Sequence, residues 1–386
     1  MPEPIYLDHA ATTPVRPEVL EAMQPFFGPR FGNPSSLHRW GREARAALDE
    51  ARERLATTLG AHPDELCFTS CGTEADNMAL LGVWRSRREH DGRNAAVATP
   101  IEHKAVLGAL HEVAHEGGEE RLLRIHASGV VDDASFDTLV DDSAAVCSVM
   151  WVNNEIGVMQ DVPALARRAH ERGVTFHTDA VQAFGKVEIN AKATPFDLLS
   201  ISGHKIGAPK GIGALFIRRG TPVSPLMFGG SQDRGRRPGT ENVAMAVGLA
   251  RAAELTVAER VEECRRLAAL REQLEAALLQ SIPDAVIHGR GAPRAPHVTS
   301  ISVPGTDSES LLMALDLRGV ACSAGSACQS GSITPSHVLT ALGVPADLAS
   351  AAIRMSLGSL TTDDGIARVA ELFPALVEKA RRLATA

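Results

Sequence analysis

Apolar residues recur at helical spacing over residues 43–59, and Gly60 stands where a left-handed cap would end that helix. Leu66, Cys67, Phe68 and Thr69 form a short apolar run, and a new helical pattern begins near Thr73. Residues 95–98, 145–150 and 174–178 read as buried strands, with helical stretches near 103–116 and 161–172 between them. Strands alternating with helices predict an α/β fold, a mostly parallel sheet with helices on its faces. Ligands of such sheets sit beyond the carboxyl ends of the strands. Residues placed just after strands are therefore the first candidates for chemistry. After Thr240 a helical pattern runs to about Leu279 and is broken by Pro283. It reads as a connection, with a boundary near 255–265, into a second region that holds strand-like segments 298–303 and 353–357. The Gly/Ser/Ala-rich run 323–332 is too short for an interdomain linker, and no internal repeat is visible.

Composition narrows the class. A chain of 386 residues, 44% hydrophobic and 22% charged, can build a sizeable core without disulfides. No run approaches about 18 apolar residues, so no membrane span is expected. The opening MPEPIYLDHA lacks a basic region followed by an apolar run, so no secretory signal is expected. A net charge of −8 disfavours sequence-independent binding to nucleic acid or anionic membrane. Six cysteines in such a chain read as reduced thiols in a cytoplasmic protein.

Amine chemistry has few candidates. Of 39 Lys and Arg residues only Lys104, Lys186, Lys192, Lys205, Lys210 and Lys379 are lysines. In SISGHKIGAPKGIG, Ser200, Ser202, Gly203 and His204 crowd around Lys205. A lysine on such a polar, tightly turned segment can form a Schiff base if its pKa is lowered. In FTSCGTEADN a strand ends and a helix begins around Ser70, Cys71, Gly72 and Thr73. Free N–H groups at that helix start suit a phosphate; the competing reading is an ordinary cap by Ser70 or Thr73, with Glu74 in the first turn. In HTDAVQ, Asp179 follows the predicted strand and can pair with a cationic ligand nitrogen or cap a helix. A phosphate cup, a carboxylate and an amine together are what pyridoxal phosphate requires. A Walker loop fails, because Gly185-Lys186 is followed by Val187.

The motifs YLDHAATTP, FGNPSSLH, EHKAV, VNNEIG, HTDAVQ, SGHK, GRRPGTEN, GSACQSGS, SHVL and IRMSLG occur in this order along nearly the whole chain. With them the chain resembles the cysteine desulfurases of the iron–sulfur-cluster and nitrogen-fixation type, within the class-V aminotransferases. The resemblance implies a fold type I, aspartate-aminotransferase-like architecture, with a large pyridoxal-phosphate domain over 14–260. It implies a smaller α/β domain of 1–13 and 261–386 that carries the catalytic cysteine loop at about 323–334. It also implies a homodimer and conversion of L-cysteine to L-alanine, with the sulfur passing to an enzyme persulfide and on to an acceptor, an iron–sulfur scaffold or a tRNA-thiolating enzyme. Lys205 matches the Schiff-base lysine, Asp179 the partner of the pyridinium and Gln182 the donor to the ring hydroxyl. His103 matches the imidazole stacked on the ring. Gly72, Thr73, Ser202 and His204 match the phosphate cup, with Thr240 reaching in from the other subunit. Asn154 and Arg354 match the holders of the substrate carboxylate, and Cys328 the nucleophile. Cys71, Ser231, Pro238 and Gly207-Ala208 depart from the usual pattern around the phosphate. The alternatives are a selenocysteine lyase or related enzyme, or a sulfur or metal scaffold without cofactor.

The remaining cysteines read differently. Cys67 and Cys147 sit in strand patterns as core fillers, Cys264 lies on the long helix, and Cys322 follows Val320-Ala321 at a strand end. No CxxC spacing is present. HEVAH, His111 to His115, fits H-E-x-x-H, but Gly117-Gly118 follows at once and no third ligand is indicated, so no metal is expected.

Overall fold

The structure, a computed structural model, describes residues 3–325 and 335–384. Its centre is a seven-stranded sheet in the order Leu66–Thr69, Gly213–Ile217, Leu198–Ser202, Thr175–Asp179, Ala144–Ser148, Ala95–Ala98, Glu119–Leu122. Gly213–Ile217 runs antiparallel to both of its neighbours, and the other strand pairs are parallel. The inner strands are buried along their whole length, as expected where helices cover both faces. Trp84, Leu80 and Leu110 pack on one face, and Leu48, Leu55 and Phe176 belong to the core on the other.

A four-stranded antiparallel sheet, Ser323–Ala324, Ala352–Ser356, Val298–Ser302, Val286–Ile287, has its own core of Leu7, Leu311, Ile353 and Phe373. The helix Val243–Ser281 joins the two. Its residues Val243 to Ala253 bury into the first core and Leu267 to Leu278 into the second. The N-terminal strand Ile5–Tyr6 pairs in parallel with Val320–Ala321, which brings residues 7–13 between the two sheets' elements.

Local chemistry explains the element ends. Gly60 adopts φ +64 and ends the helix Arg39–Leu59, as its missing Cβ allows. That helix starts earlier than the apolar spacing suggested, because His38 Nδ1 accepts the Gly41 N–H as a cap. Asn242 caps the long helix by accepting from Met245 N–H. Glu119–Leu122 carries no apolar run and is a polar edge strand paired on one side only, whereas Gly213–Ile217 is a buried apolar run that follows a glycine-rich turn.

Candidate active site

A cavity of about 310 Å³ opens at the carboxyl ends of the parallel strands. It is lined by residues that follow five of the sheet's strands: Gly72 and Thr73, His103, Met150 and Asn154, Val181 and Gln182, and His204 and Lys205. Asp179 is the last residue of its strand rather than the first beyond it, and its carboxyl forms part of the cavity wall.

The amine comes from a short turn. Strand Leu198–Ser202 runs into a single 3₁₀ turn, Gly203–Lys205. A side chain at Gly203 would press on Ile212 at 2.8 Å, so the turn needs glycine to pack. Lys205 Nζ donates to the carbonyls of Ala10 and Ala11, both at 2.7 Å. Burial, reinforced by the positive charge of Arg354, lowers the Lys205 pKa to about 8, and Asp179 opposes that shift. An amine with this value is neutral in about a tenth of molecules at pH 7, enough to act as a nucleophile or base.

The opposite wall is acidic. Asp179 is 4% exposed and accepts the Val181 N–H at 2.8 Å. Burial raises its pKa above the ordinary carboxylate value, with His103 acting against it. Asp76 lies beside it, and burial followed by the Asp179 charge pushes Asp76 well above the usual range. Asp76 Oδ1 lies 3.7 Å from His177 Nε2 and makes no hydrogen bond among the described residues. Glu102 is held up to about 8 by burial. Beneath these groups His177 is fixed by Ser148 Oγ at 2.8 Å and Ser200 Oγ at 3.0 Å, and burial lowers it to about 3. Two neighbouring carboxyls cannot both ionise cheaply in a buried site, and a cation arriving beside Asp179 would offset that cost.

The helix Gly72–Asp91 begins at the cavity without a side-chain cap. Neither Ser70 nor Thr73 closes it, and Glu74 turns back to accept from Ser70 N–H and Arg237. Its free first-turn N–H groups face the space lined by Ser202 and His204. At Gly72 an added Cβ would lie 3.0 Å from Val181 and 3.3 Å from Ser202, so close packing there favours glycine. His204 Nδ1 lies 3.1 Å from the Thr12 hydroxyl, and burial lowers the His204 pKa to about 4.

His103 caps the helix Lys104–His115, its Nδ1 accepting the Ala105 N–H at 3.1 Å. A neutral ring then carries its proton on Nε2. Burial lowers its pKa, although the Asp179 charge pulls the other way. Gln182 is committed at both ends, donating to Ala10 O at 2.9 Å and meeting His297 Nε2 at 3.1 Å. Arg354, on the strand Ala352–Ser356, donates to the Asn154 carbonyl at 3.0 Å and to Asp8 at 2.9 Å.

Two expected residues are not assembled here. Thr240 lines a separate cavity of about 260 Å³ with Ser70, Asp233 and Arg237. Cys328 lies outside the described residues. A cavity of about 540 Å³ on the far side of Gln182 and Lys205 contains neither Asp179 nor the helix start. His111 is paired with Glu120 at 2.7 Å and His115 lies 3.6 Å from Glu112, both exposed. Among the described residues no group of three or more His, Cys, Asp or Glu is placed to hold a metal ion. The cysteines at 67 and 147 are buried, and burial raises both thiols.

Sequence reasoning did not assign Asp8, Asp76, Glu102, Glu155 or His177. All five lie within the motifs quoted above, Glu102 as the first residue of EHKAV. Apart from Thr99, which donates to Glu102 from three residues away, their partners are distant in the chain, so their roles are set by packing.

The residues present fit pyridoxal phosphate by their chemistry. An uncapped helix start with two polar side chains matches the phosphate, a buried carboxylate short of a cation matches the ring nitrogen, and a depressed amine between them matches the aldehyde. The chain matches the aminotransferase class-V family over residues 5–369. It is 43% identical over 380 residues to the cysteine desulfurase NifS of Azotobacter vinelandii, covering 98% of this chain and 94% of that one. Among solved structures, a NifS-like protein superimposes with a TM-score of 0.88 at 34% identity and 99% coverage of both chains. SspA in complex with cysteine gives 0.80 at 32% identity, covering 92% of this chain and 98% of the other. The chain therefore belongs to the class-V aminotransferase family and is closely related to cysteine desulfurases of the NifS and IscS type.

Proposed function

We propose that the chain is a pyridoxal-phosphate-dependent cysteine desulfurase that converts L-cysteine to L-alanine and retains the sulfur as a persulfide. The observation that carries this reading is the amine of Lys205, lowered to about 8, in one cavity with Asp179, an uncapped helix start and Arg354. Bound there, pyridoxal phosphate supplies an electrophilic aldehyde and a ring that accepts electrons.

The chain's own residues divide the work. Gly72, Thr73, Ser202 and His204 hold the phosphate. Asp179 keeps a proton on the ring nitrogen, because a buried carboxylate stabilises a neighbouring cation. His103 would pack against the ring, and the second N–H of the Gln182 amide, whose first is held by Ala10 O, would be the donor to the ring hydroxyl. Arg354, oriented by Asp8, offers a planar pair of donors to the substrate carboxylate, with Asn154 beside it. Lys205 serves as the general base at the substrate Cα, and its depressed pKa leaves it basic but partly unprotonated near neutrality.

The sulfur step falls to Cys328. Its thiolate bonds to the substrate sulfur as the Cβ–S bond breaks, leaving a Cys328 persulfide and, after protonation of Cβ, alanine. Cys322 is a poor competitor, because burial raises its thiol to about 12. Thr240, which does not line this cavity, completes the phosphate cup of a second copy, which makes the working unit a homodimer. The persulfide then passes to an acceptor protein, an iron–sulfur scaffold or a tRNA-thiolating enzyme.

The test is turnover of L-cysteine with a reducing thiol present. Alanine and sulfide should appear in equal amounts, and Cys328→Ala should form neither while it still binds cofactor and cysteine. Sulfide release by Cys328→Ala at the parent rate refutes the assigned nucleophile. Absence of alanine from the parent enzyme refutes the function.

A further inference from the structure

Glu74 is the third residue of the helix Gly72–Asp91, whose N-cap is Cys71. A carboxylate at that place ordinarily folds back onto the helix start, where it accepts the N–H of the cap and complements the helix dipole. A phosphate arriving at the same N–H groups would then meet a like charge that belongs to the chain. Here the carboxylate is engaged elsewhere. Its Oε2 accepts the Ser70 N–H at 2.6 Å, one residue before the cap, and its Oε1 accepts from Arg237 Nε at 2.9 Å. Glu74 is absent from the lining of the cavity that holds Gly72, Thr73, Ser202 and His204, and it borders a separate space with Met78, Met227 and Arg236. Burial works against its ionisation, but the hydrogen bonds from Arg237 and Ser70 outweigh it and hold its pKa below the ordinary carboxylate value. The carboxylate is therefore charged, and Arg237 is its counter-charge.

Arg237 is delivered by a segment with an uncommon backbone. Asp233 and Arg234 adopt φ +45° and +60°, left-handed values that ordinary side chains rarely take. Such a backbone persists only where its surroundings fix it. The buried Arg52 donates to Asp233 and to the Leu66 carbonyl, the latter at 2.7 Å. Arg234 pairs with Asp64, and Arg236 donates to the Asp64 carbonyl at 3.2 Å. These ties anchor the segment beside the strand Leu66–Thr69, which leads into the helix start, and from there Arg237 reaches Glu74.

We propose that Arg237 is a positioning residue for the cofactor phosphate: it draws the Glu74 carboxylate away from the helix start and neutralises it, so that the first-turn N–H groups stay open to an external anion. The inference rests on the reading of that helix start as the phosphate cup. Without Arg237, the Glu74 carboxylate either faces the phosphate as an uncompensated like charge or turns onto those N–H groups in its place. Both lower the affinity for a phosphate. Neither acts on the aldehyde or the ring nitrogen, which Lys205 and Asp179 serve. Loss of Arg237 thus has a signature that general loosening of the site lacks: it requires the phosphate, and it vanishes with the Glu74 charge.

The test measures binding of two probes, pyridoxal phosphate and pyridoxal, which lacks the phosphate, to the full chain freed of cofactor. Equilibrium dialysis reads the affinity of each for the parent, Arg237→Ala, Glu74→Gln and the double variant. Arg237→Ala should bind pyridoxal phosphate roughly tenfold more weakly and pyridoxal within about twofold of the parent. The double variant should regain pyridoxal phosphate affinity to within about twofold of the parent, because the charge that Arg237 answers is gone. Glu74→Gln alone should bind pyridoxal phosphate at least as tightly as the parent. Unchanged pyridoxal phosphate affinity in Arg237→Ala overturns the proposal. Equal losses for both probes also overturn it, as does a double variant no better than Arg237→Ala. If Arg237→Ala does not fold, Glu74→Gln decides: retained or tighter binding of pyridoxal phosphate supports the proposal, and weaker binding overturns it. A parent that binds the two probes equally well removes the phosphate cup itself; a parent that prefers pyridoxal phosphate beside an Arg237→Ala that prefers it equally removes only the role of Arg237.

Discussion

Attachment of the cofactor to Lys205 should follow the pH dependence of a buried amine. Only the neutral amine attacks an aldehyde, and burial together with the Arg354 charge lowers Lys205 from 10.5 to about 8. At pH 7 its neutral fraction is about one in ten; an ordinary lysine would offer about one in three thousand, so the site gains roughly 300-fold. Cofactor-free protein would be mixed with limiting pyridoxal phosphate between about pH 6 and about pH 10, quenched with borohydride at intervals, and the reduced adduct counted on the Lys205 peptide. The rate should rise about tenfold per pH unit below 8 and level off above it. Arg354→Gln should move the midpoint upward and Asp179→Asn downward, because these charges act on the amine with opposite signs. The same shift has a stability consequence in the cofactor-free chain. The folded value lies below the unfolded one, so this group destabilises the fold fully below about pH 8, and that penalty is relieved as pH rises toward 10.5. A rate that climbs without inflection to the top of this pH range, or an adduct on any of the other five lysines, refutes the reasoning.

Further outcomes follow from the same geometry. Asp179→Ala should weaken cofactor retention by roughly ten- to a hundredfold, since a hydrogen bond to a charged group contributes about 1.5–3 kcal/mol; equilibrium dialysis of the cofactor measures it. Arg354→Lys should raise KM for cysteine in steady-state assays while the protein keeps its cofactor, because a lysine cannot reproduce the planar pair of donors. Cys322→Ala should retain most of the sulfide release, as expected for a thiol that burial raises to about 12. Sedimentation should show a dimer at working concentration, and Thr240→Ala should then weaken cofactor binding although Thr240 does not line the cavity of its own chain.

Much of the large sheet was legible because its signals are local. Cys67, Val97 and Cys147 belong to apolar runs bounded by turn residues, and Gly60 marks a helix end by its own conformational freedom. Glu119–Leu122 was not legible, because an edge strand beside solvent needs no apolar run. Asp179 shifted from beyond the strand to its last residue, because strand ends depend on ladder pairing with Ser200 as well as on composition. The helix start at Gly72 illustrates the other limit. Its residues allowed a side-chain cap or an open anion site, and the direction taken by Glu74, toward Ser70 N–H and Arg237, decided for the open one.

The sequence by itself determined the alternation of strands and helices, the small set of lysines and the motifs in which the site residues occur, because periodicity and residue type act over a few neighbours. Tertiary structure alone decided the chemistry those residues acquire. Lys205 owes its lowered pKa to burial and to Arg354, far along the chain, and its hydrogen bonds to Ala10 and Ala11. Arg354 is aimed by Asp8, from the other end of the chain, and Glu155 meets Ser336 only because the two sheets' elements close on each other. Desolvation and charge pairing depend on which distant groups share a space, and that is settled by packing of the cores rather than by any local pattern.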